Sequence, residues 1–196
     1  MYLNYYRVHL MSPLSLNNHT EKDLIAMCID GDSYSCKQLF DLYSRKMMAI
    51  CYRFARDRNE AEDILQEGFI RIFNKLSLYS GQGALESWMR RVIINTAIKY
   101  KKRHIIKHSY SDIDNVHALD TTPSVIDDIS RDEILALVQS LPEGYRIVFS
   151  LYVIEGYSHK EIADKLEIGE STSRSQLVKA RALLRTKLLN HRKLAG

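Results

Sequence analysis

Glycine and proline are scarce in this chain of 196 residues, at 8 and 3. Turn-rich β sandwiches and barrels draw heavily on both, so the shortage argues against them and for helices. No run approaches the roughly 18 apolar residues that span a bilayer, so membrane insertion is not expected. The opening MYLNYYRVHLM has neither the charged start nor the apolar stretch of a secretory signal. Residues 1–19 are expected to form a disordered leader, with Met11 an alternative beginning. Cys28, Cys36 and Cys51 are an odd number and include no C-x-x-C pair. Buried free thiols in a reducing cytoplasm are expected of them, in preference to a disulfide or a zinc site. The sequence also lacks a Gly-rich phosphate loop, a metal-spaced His/Cys/Asp set and a nucleophile beside a base, and its 7 His are scattered. No catalysis, cofactor or metal is therefore expected.

What is present is ordinary in amount and uneven in placement. Hydrophobic residues make up 45% of the chain, enough for a globular core, and the net charge is only +4. A first helix is predicted from Glu21, with Thr20 as its N-cap. A second is predicted over 33–56, where Cys36, Phe40, Tyr43, Met47, Ile50 and Phe54 recur at helical spacing and read as core. A third, over 59–75, turns Leu65, Phe69, Ile72 and Leu76 inward. It carries Glu60, Asp63, Gln66 and Glu67 on its other side. That acidic side suits either solvent or a basic protein partner. A loop rich in Gly and Ser spans 78–85, and a fourth helix follows over 85–107 with Leu85, Trp88, Val92 and Ile93 inward. On another face of that helix, Arg91, Asn95, Lys99 and Lys102 repeat at helical spacing. The block from Ser87 to Ser111 holds no acid and seven bases: Arg90, Arg91, Lys99, Lys101, Lys102, Arg103 and Lys107. It outruns one helical turn, so it favours a nucleic-acid surface over simple dipole matching.

Asp112–Glu133 reverses the sign, with seven acids against Arg131, and reads as a flexible acidic linker. The fold class is therefore all-α. Two small helical domains, 20–108 and 131–190, are joined by a linker over 109–130, and the second is a helix-turn-helix. In that second domain Ser158 and Glu161 have capping-box spacing, followed by an apolar face of Ile162, Ala163 and Leu166. Glu167-Ile168-Gly169 supplies a break, which Gly169 is expected to enable through its permitted backbone angles or as an N-cap. The next helix points Leu177, Ala180 and Leu184 inward, and from Ser171 to Gly196 there are seven bases and no acid. A tight helix pair with a basic second helix suits the DNA major groove.

Three stretches, in order, are similar to a known family. They are AEDILQEGFIRIFNK (61–75), ALESWMRRVIINTAIKYKKR (84–103) and LPEGYRIVFSLYVIEGYSHKEIADKLEIGESTSRSQLVKARALL (141–184). The chain resembles the extracytoplasmic-function (ECF) RNA polymerase sigma factors over roughly residues 20–190. The resemblance implies that Asp63, Gln66 and Glu67 dock on the β′ coiled coil of core RNA polymerase, with the β subunit as a further contact. It implies that the loop residues Tyr79, Ser80 and Gln82, with Trp88, Arg91, Asn95, Lys99 and Lys102, open the −10 promoter element and capture a flipped base. It assigns the −35 element to Ser171, Thr172, Arg174, Ser175, Gln176, Val178, Lys179 and Arg181, where Arg can read guanine and Gln adenine. Two positions depart from the family. Ser173 stands where an inward apolar residue is usual, so looser packing is expected, and Gln176 stands where a base is common. Core polymerase, promoter DNA and an anti-sigma factor are the implied partners, in the cytoplasm. The alternatives are a stand-alone helix-turn-helix regulator and a sigma-like decoy for an anti-sigma factor.

Overall fold

The computed structural model describes residues 20–105 and 131–195. The expected leader, at 1–19, and the expected linker, at 109–130, lie outside the described residues. All elements among the described residues are helical. Helix α1 spans Glu21–Ile29 and starts at a capping box in which Thr20 and Asp23 satisfy each other's backbone N–H groups. Helix α2 spans Ser33–Phe54 behind an Asp32 cap, and α3 spans Arg58–Lys75 behind an Asp57 cap. A 3-10 turn over Leu76–Leu78 leads into the loop before α4, Leu85–Ile105. These bounds match the expected helices to within a few residues.

Helices α2, α3 and α4 pack on one another, and α1 lies along α2. Leu39, Met47, Phe54, Ile64, Ile72 and Ile93 are almost wholly buried between them. Of the expected α2 stripe, Tyr43, Met47, Ile50 and Phe54 are buried, while Cys36 and Phe40 are half-buried. Gly68 on α3 permits the close approach of α4: a Cβ there would fall 2.3 Å from Cδ1 of Ile93. Any side chain at this position must displace a buried isoleucine.

The C-terminal part contains α5 (Arg131–Gln139), α6 (Glu143–Phe149), α7 (His159–Leu166) and α8 (Glu170–Ala195). The end of α6 widens into a π-helical turn over Ser150–Ile154. Helix α8 packs on α6 and α7 around Ile147, Val148, Ile162, Leu177 and Ala180. The two halves also touch. Helices α5 and α6 pack on α2, α7 packs on α4, and buried residues of both halves form one continuous apolar cluster.

Four expectations are corrected here. Cys28 and Cys36 form a disulfide, and Cys51 alone remains a free buried thiol. The tight turn between α1 and α2 brings the two Cα atoms within 5.0 Å, which spacing along the chain did not reveal. Burial pushes the Cys51 thiol up to about 12, so it stays protonated and unreactive. Glu60 is not on the exposed acidic side, because it is turned inward and 4% exposed. Lys101 is not part of a basic surface, because it is 1% exposed and holds Glu60 at 2.6 Å. Finally, of the two roles expected of Gly169 only the cap is taken, because the left-handed residue before α8 is Glu167, at φ 57°. Gly169 sits at the cap position, where its carbonyl accepts from the Ser173 N–H at 3.0 Å.

Candidate functional site

The exposed side of α3 keeps most of its expected acidic character. Asp63 and Gln66 are exposed, and Glu67 is half-buried. Positions 63, 66, 67 and 70 recur at three and four residues, so they share one helix face. Ile70 adds an exposed apolar side chain to it, 50% accessible, which the acidic pattern alone did not suggest. Neighbouring side chains fix the two carboxylates. The Tyr100 hydroxyl donates to Asp63 at 3.1 Å, and Arg71 donates to Glu67 at 2.6 Å. Burial, then the bond to Asp63, raises the Tyr100 phenol above its ordinary value.

The loop between α3 and α4 is shaped from within. Gly81 and Gly83 have φ of 73° and 78°, angles that ordinary side chains disfavour. The Tyr79 hydroxyl donates to the Gly83 carbonyl at 2.5 Å, and its ring lies 5.8 Å from that of Trp88. Tyr79 and Trp88 are thus half-buried parts of the loop's frame, while Ser80 and Gln82 are exposed at its tip. Along α4, Arg91, Asn95 and Lys99 are exposed in one row, as expected. Lys102 is half-buried and pairs with Glu167 at 2.8 Å.

The helix-turn-helix carries a polar joint. Ser173 is fully buried, and its hydroxyl lies 2.9 Å from Nδ1 of His159 at the start of α7. The His159 ring stacks on Tyr152 with centroids 4.4 Å apart, and Arg181 lies over the same Tyr152 ring at 6.0 Å. The unusual Ser173 therefore gains a cross-helix hydrogen bond where an apolar residue would give only packing. Burial, then the charge of Arg174, holds the His159 imidazole below its ordinary 6.5. On α8, Ser171, Thr172, Arg174, Ser175 and Val178 are exposed, and Lys179 is half-buried. Arg174 pairs with Glu170 of its own helix at 2.5 Å, and the Ser175 hydroxyl donates to the Thr172 carbonyl at 3.0 Å. Gln176, expected among the −35 residues, is set back from the exposed ones. It is half-buried, with its amide 3.3 Å from where a Cβ on Gly144 would lie, so it leans on α6.

Sequence reasoning missed the ion pairs that join the two halves. Glu155, with 4% of its side chain exposed, accepts from Arg53 at 2.8 Å and from Arg90 at 2.7 and 2.9 Å. Lys101 holds Glu143 at 2.5 Å as well as Glu60. Lys165 donates to the Asn95 side-chain oxygen at 3.1 Å. One signal was available: Arg53 lies beside Phe54, and Lys101 one turn after Ala97 and Ile98, on apolar stripes. A charge on such a stripe is buried only when paired.

Residues 39–104 match the family described as Sigma-70 region 2, and residues 131–184 match Sigma-70, region 4. The chain is 32% identical over 186 residues to the RNA polymerase sigma-H factor of Pseudomonas aeruginosa, covering 85% of this chain and 92% of that protein. It is 26% identical over 181 residues to the ECF RNA polymerase sigma-E factor of Escherichia coli, covering 86% and 94%. Among solved structures it is similar to the sigma factor RpoE in complex with the anti-sigma factor NepR from Bartonella quintana. That match has a TM-score of 0.45, 18% identity, and coverage of 78% of this chain and 95% of that one. The chain belongs to the sigma-70 family of RNA polymerase sigma factors, in its extracytoplasmic-function branch.

Proposed function

We propose that this sigma factor binds core RNA polymerase through Asp63, Gln66 and Glu67 of α3 and directs initiation at its own set of promoters. The exposed tip of the 79–84 loop and the Arg91, Asn95, Lys99 and Lys102 row of α4 open the −10 element. The N-terminal turns of α8, led by Arg174, read the −35 element. It works as two DNA-binding domains, 20–108 and 131–190, in the cytoplasm and without catalysis of its own. An anti-sigma factor is the proposed inhibitory partner. The observation that carries this reading is that one chain holds both regions in order, region 2 over 39–104 and region 4 over 131–184. A stand-alone helix-turn-helix regulator has no use for the first of them. Two weak DNA contacts on one chain reinforce each other, because binding of one raises the local concentration of the other.

Core-polymerase capture followed by run-off transcription on a genomic promoter pool tests the reading. Core binding with new, discrete start sites is expected; sequence-specific duplex binding without core binding would overturn it. Asp63→Arg puts a positive charge on the docking face without disturbing the core, and is expected to abolish core capture while leaving the thermal transition unchanged. Normal capture by that variant would remove Asp63 from the interface.

A further inference from the structure

The three cysteines of this chain have two different surroundings. Cys51 is fully buried, and its thiol, pushed up to about 12, takes no part in exchange. Cys28, in the last turn of α1, and Cys36, in the first turn of α2, are bonded to each other. Gly31, at φ 92°, folds α2 back along α1 and so brings the two sulfurs together. Cys36 is half-buried and within reach of small molecules, whereas Cys28 is only 8% exposed. Helix polarity separates them further. The start of α2 favours a thiolate at Cys36, and the end of α1 disfavours one at Cys28. Such a pair has an attacking sulfur outside and a resolving sulfur behind it. Residues 29–35 hold Asp30 and Asp32 and no base, so an uncharged oxidant approaches more easily than anionic glutathione disulfide.

The place of the bond matters as much as its chemistry. Helix α1 has 9 residues, too few to hold a helix without outside contacts. It is tied at both ends: the Tyr43 hydroxyl donates to Glu21 at its start, and the disulfide fixes its last turn. Between those ties Leu24 is buried in the core, and α1 also touches the 3-10 turn over Leu76–Leu78. That turn leads directly into the loop of Tyr79, Ser80 and Gln82. In the cytoplasm, where this sigma factor is proposed to act, a disulfide is transient, because thiol reductants reopen it. We infer that Cys28 and Cys36 are a reversible modification site for a hydroperoxide, and that closing it clamps α1 against the entrance to the −10 loop. With hydrogen peroxide, the Cys36 thiolate takes one oxygen, becomes a sulfenic acid and releases a water. The Cys28 sulfur then attacks the Cys36 sulfur, and the oxygen leaves as a second water. Two thiols and one peroxide thus give one disulfide and two waters; the sulfurs lose two electrons and the peroxide gains them. A dithiol reductant reverses the change and itself becomes a disulfide. The effect on the loop rests on the −10 reading given above.

The test takes the full chain, reduced with dithiothreitol and then freed of it, and adds hydrogen peroxide, glutathione disulfide or buffer alone. Peroxide is expected to lower the mass by two hydrogens, with peptide mapping placing the link at Cys28–Cys36 and leaving Cys51 free. The closed form should melt about 5–10 °C above the reduced one, as a short covalent loop does in a chain of this size. Joined to core polymerase, the closed form should open promoters more readily than the reduced form, while both bind a −35 duplex equally. Cys36→Ser should behave as the reduced chain under every treatment, and Cys28→Ser supplies the same control if that variant does not fold. No link after peroxide overturns the site. A link that stays closed in a reducing glutathione buffer is a permanent staple and overturns the reversibility. Faster closure by glutathione disulfide than by peroxide overturns the choice of oxidant. A reversible link that leaves promoter opening unchanged overturns the clamp. Lys99→Ala probes the −10 surface by itself. If it weakens promoter opening while oxidation and reduction change nothing, the −10 reading stands and the clamp does not.

Discussion

The two acid-free blocks of this chain hold seven bases each, yet they are used differently. On α4, Lys101 is buried between Glu60 and Glu143, Lys102 meets Glu167, and Arg90 grips Glu155. On α8, Arg174 pairs within its own helix on an exposed surface, and Arg181 rests over an aromatic ring. Among the described bases, Arg90, Lys101 and Lys102 of α4 join the two halves of the molecule, whereas Arg174 and Arg181 of α8 face outward. A count of charge does not separate these roles; burial and partners do. An exposed ion pair contributes little to stability, whereas a buried one that loses a member leaves a charge stranded.

The sharpest way to break the comparison is to neutralise one base from each block. Lys101→Met strands Glu60 and should cost about 3–5 kcal/mol in urea unfolding. A loss under about 0.5 kcal/mol would place Lys101 with ordinary surface residues. The same cluster sets a pH dependence. Burial pushes the Glu60 carboxyl up, but the Lys101 bond and the Arg56 backbone N–H outweigh it, leaving Glu60 below its ordinary 4.5. A carboxyl lowered on folding stabilises fully above its unfolded value, and that contribution fades as pH falls through the folded one. Unfolding measured on both sides of 4.5 should show this loss, and Glu60→Gln should flatten it.

Arg174→Ala should leave unfolding unchanged within about 0.5 kcal/mol. It should nevertheless cost about 1–3 kcal/mol of discrimination between the cognate −35 element and unrelated duplex. Equal weakening on every sequence would make Arg174 a phosphate contact instead. The smallest expected effect belongs to Ser173→Ala, which removes one hydrogen bond and should cost about 1 kcal/mol. If Ser173→Val proves as stable as the parent chain, the bond to His159 contributes no more than apolar packing.

Much of the fold was legible because it follows from local rules. The α2 stripe, the inner side of α3 and the Ser158–Glu161 capping box are spaced within one or two turns, and the structure places them as expected. What the sequence hid depends on residues far apart. Glu60 and Lys101 each look like solvent-facing charges until α3 and α4 bring them together. Glu155 sits in an apolar stretch with no local partner, and its two arginines lie far earlier in the chain. The Cys28–Cys36 bond depends on the direction of one turn. Gln176 leans toward α6 because Gly144 leaves space for it, which nothing near Gln176 announces.

The joint between α7 and α8 couples two properties that are usually separate. Ser173, His159, Tyr152 and Arg181 form a chain of contacts that begins at a buried hydroxyl and ends at an exposed guanidinium on α8, the proposed −35 reader. A substitution that alters which promoters are favoured by moving Arg181 also disturbs the ring on which His159 rests. A substitution at Ser173 removes the bond that anchors His159 at the other end of the same chain of contacts. If α8 reads promoter DNA as proposed, a changed preference through Arg181 is expected to require paired substitutions, one on the surface and one in the joint.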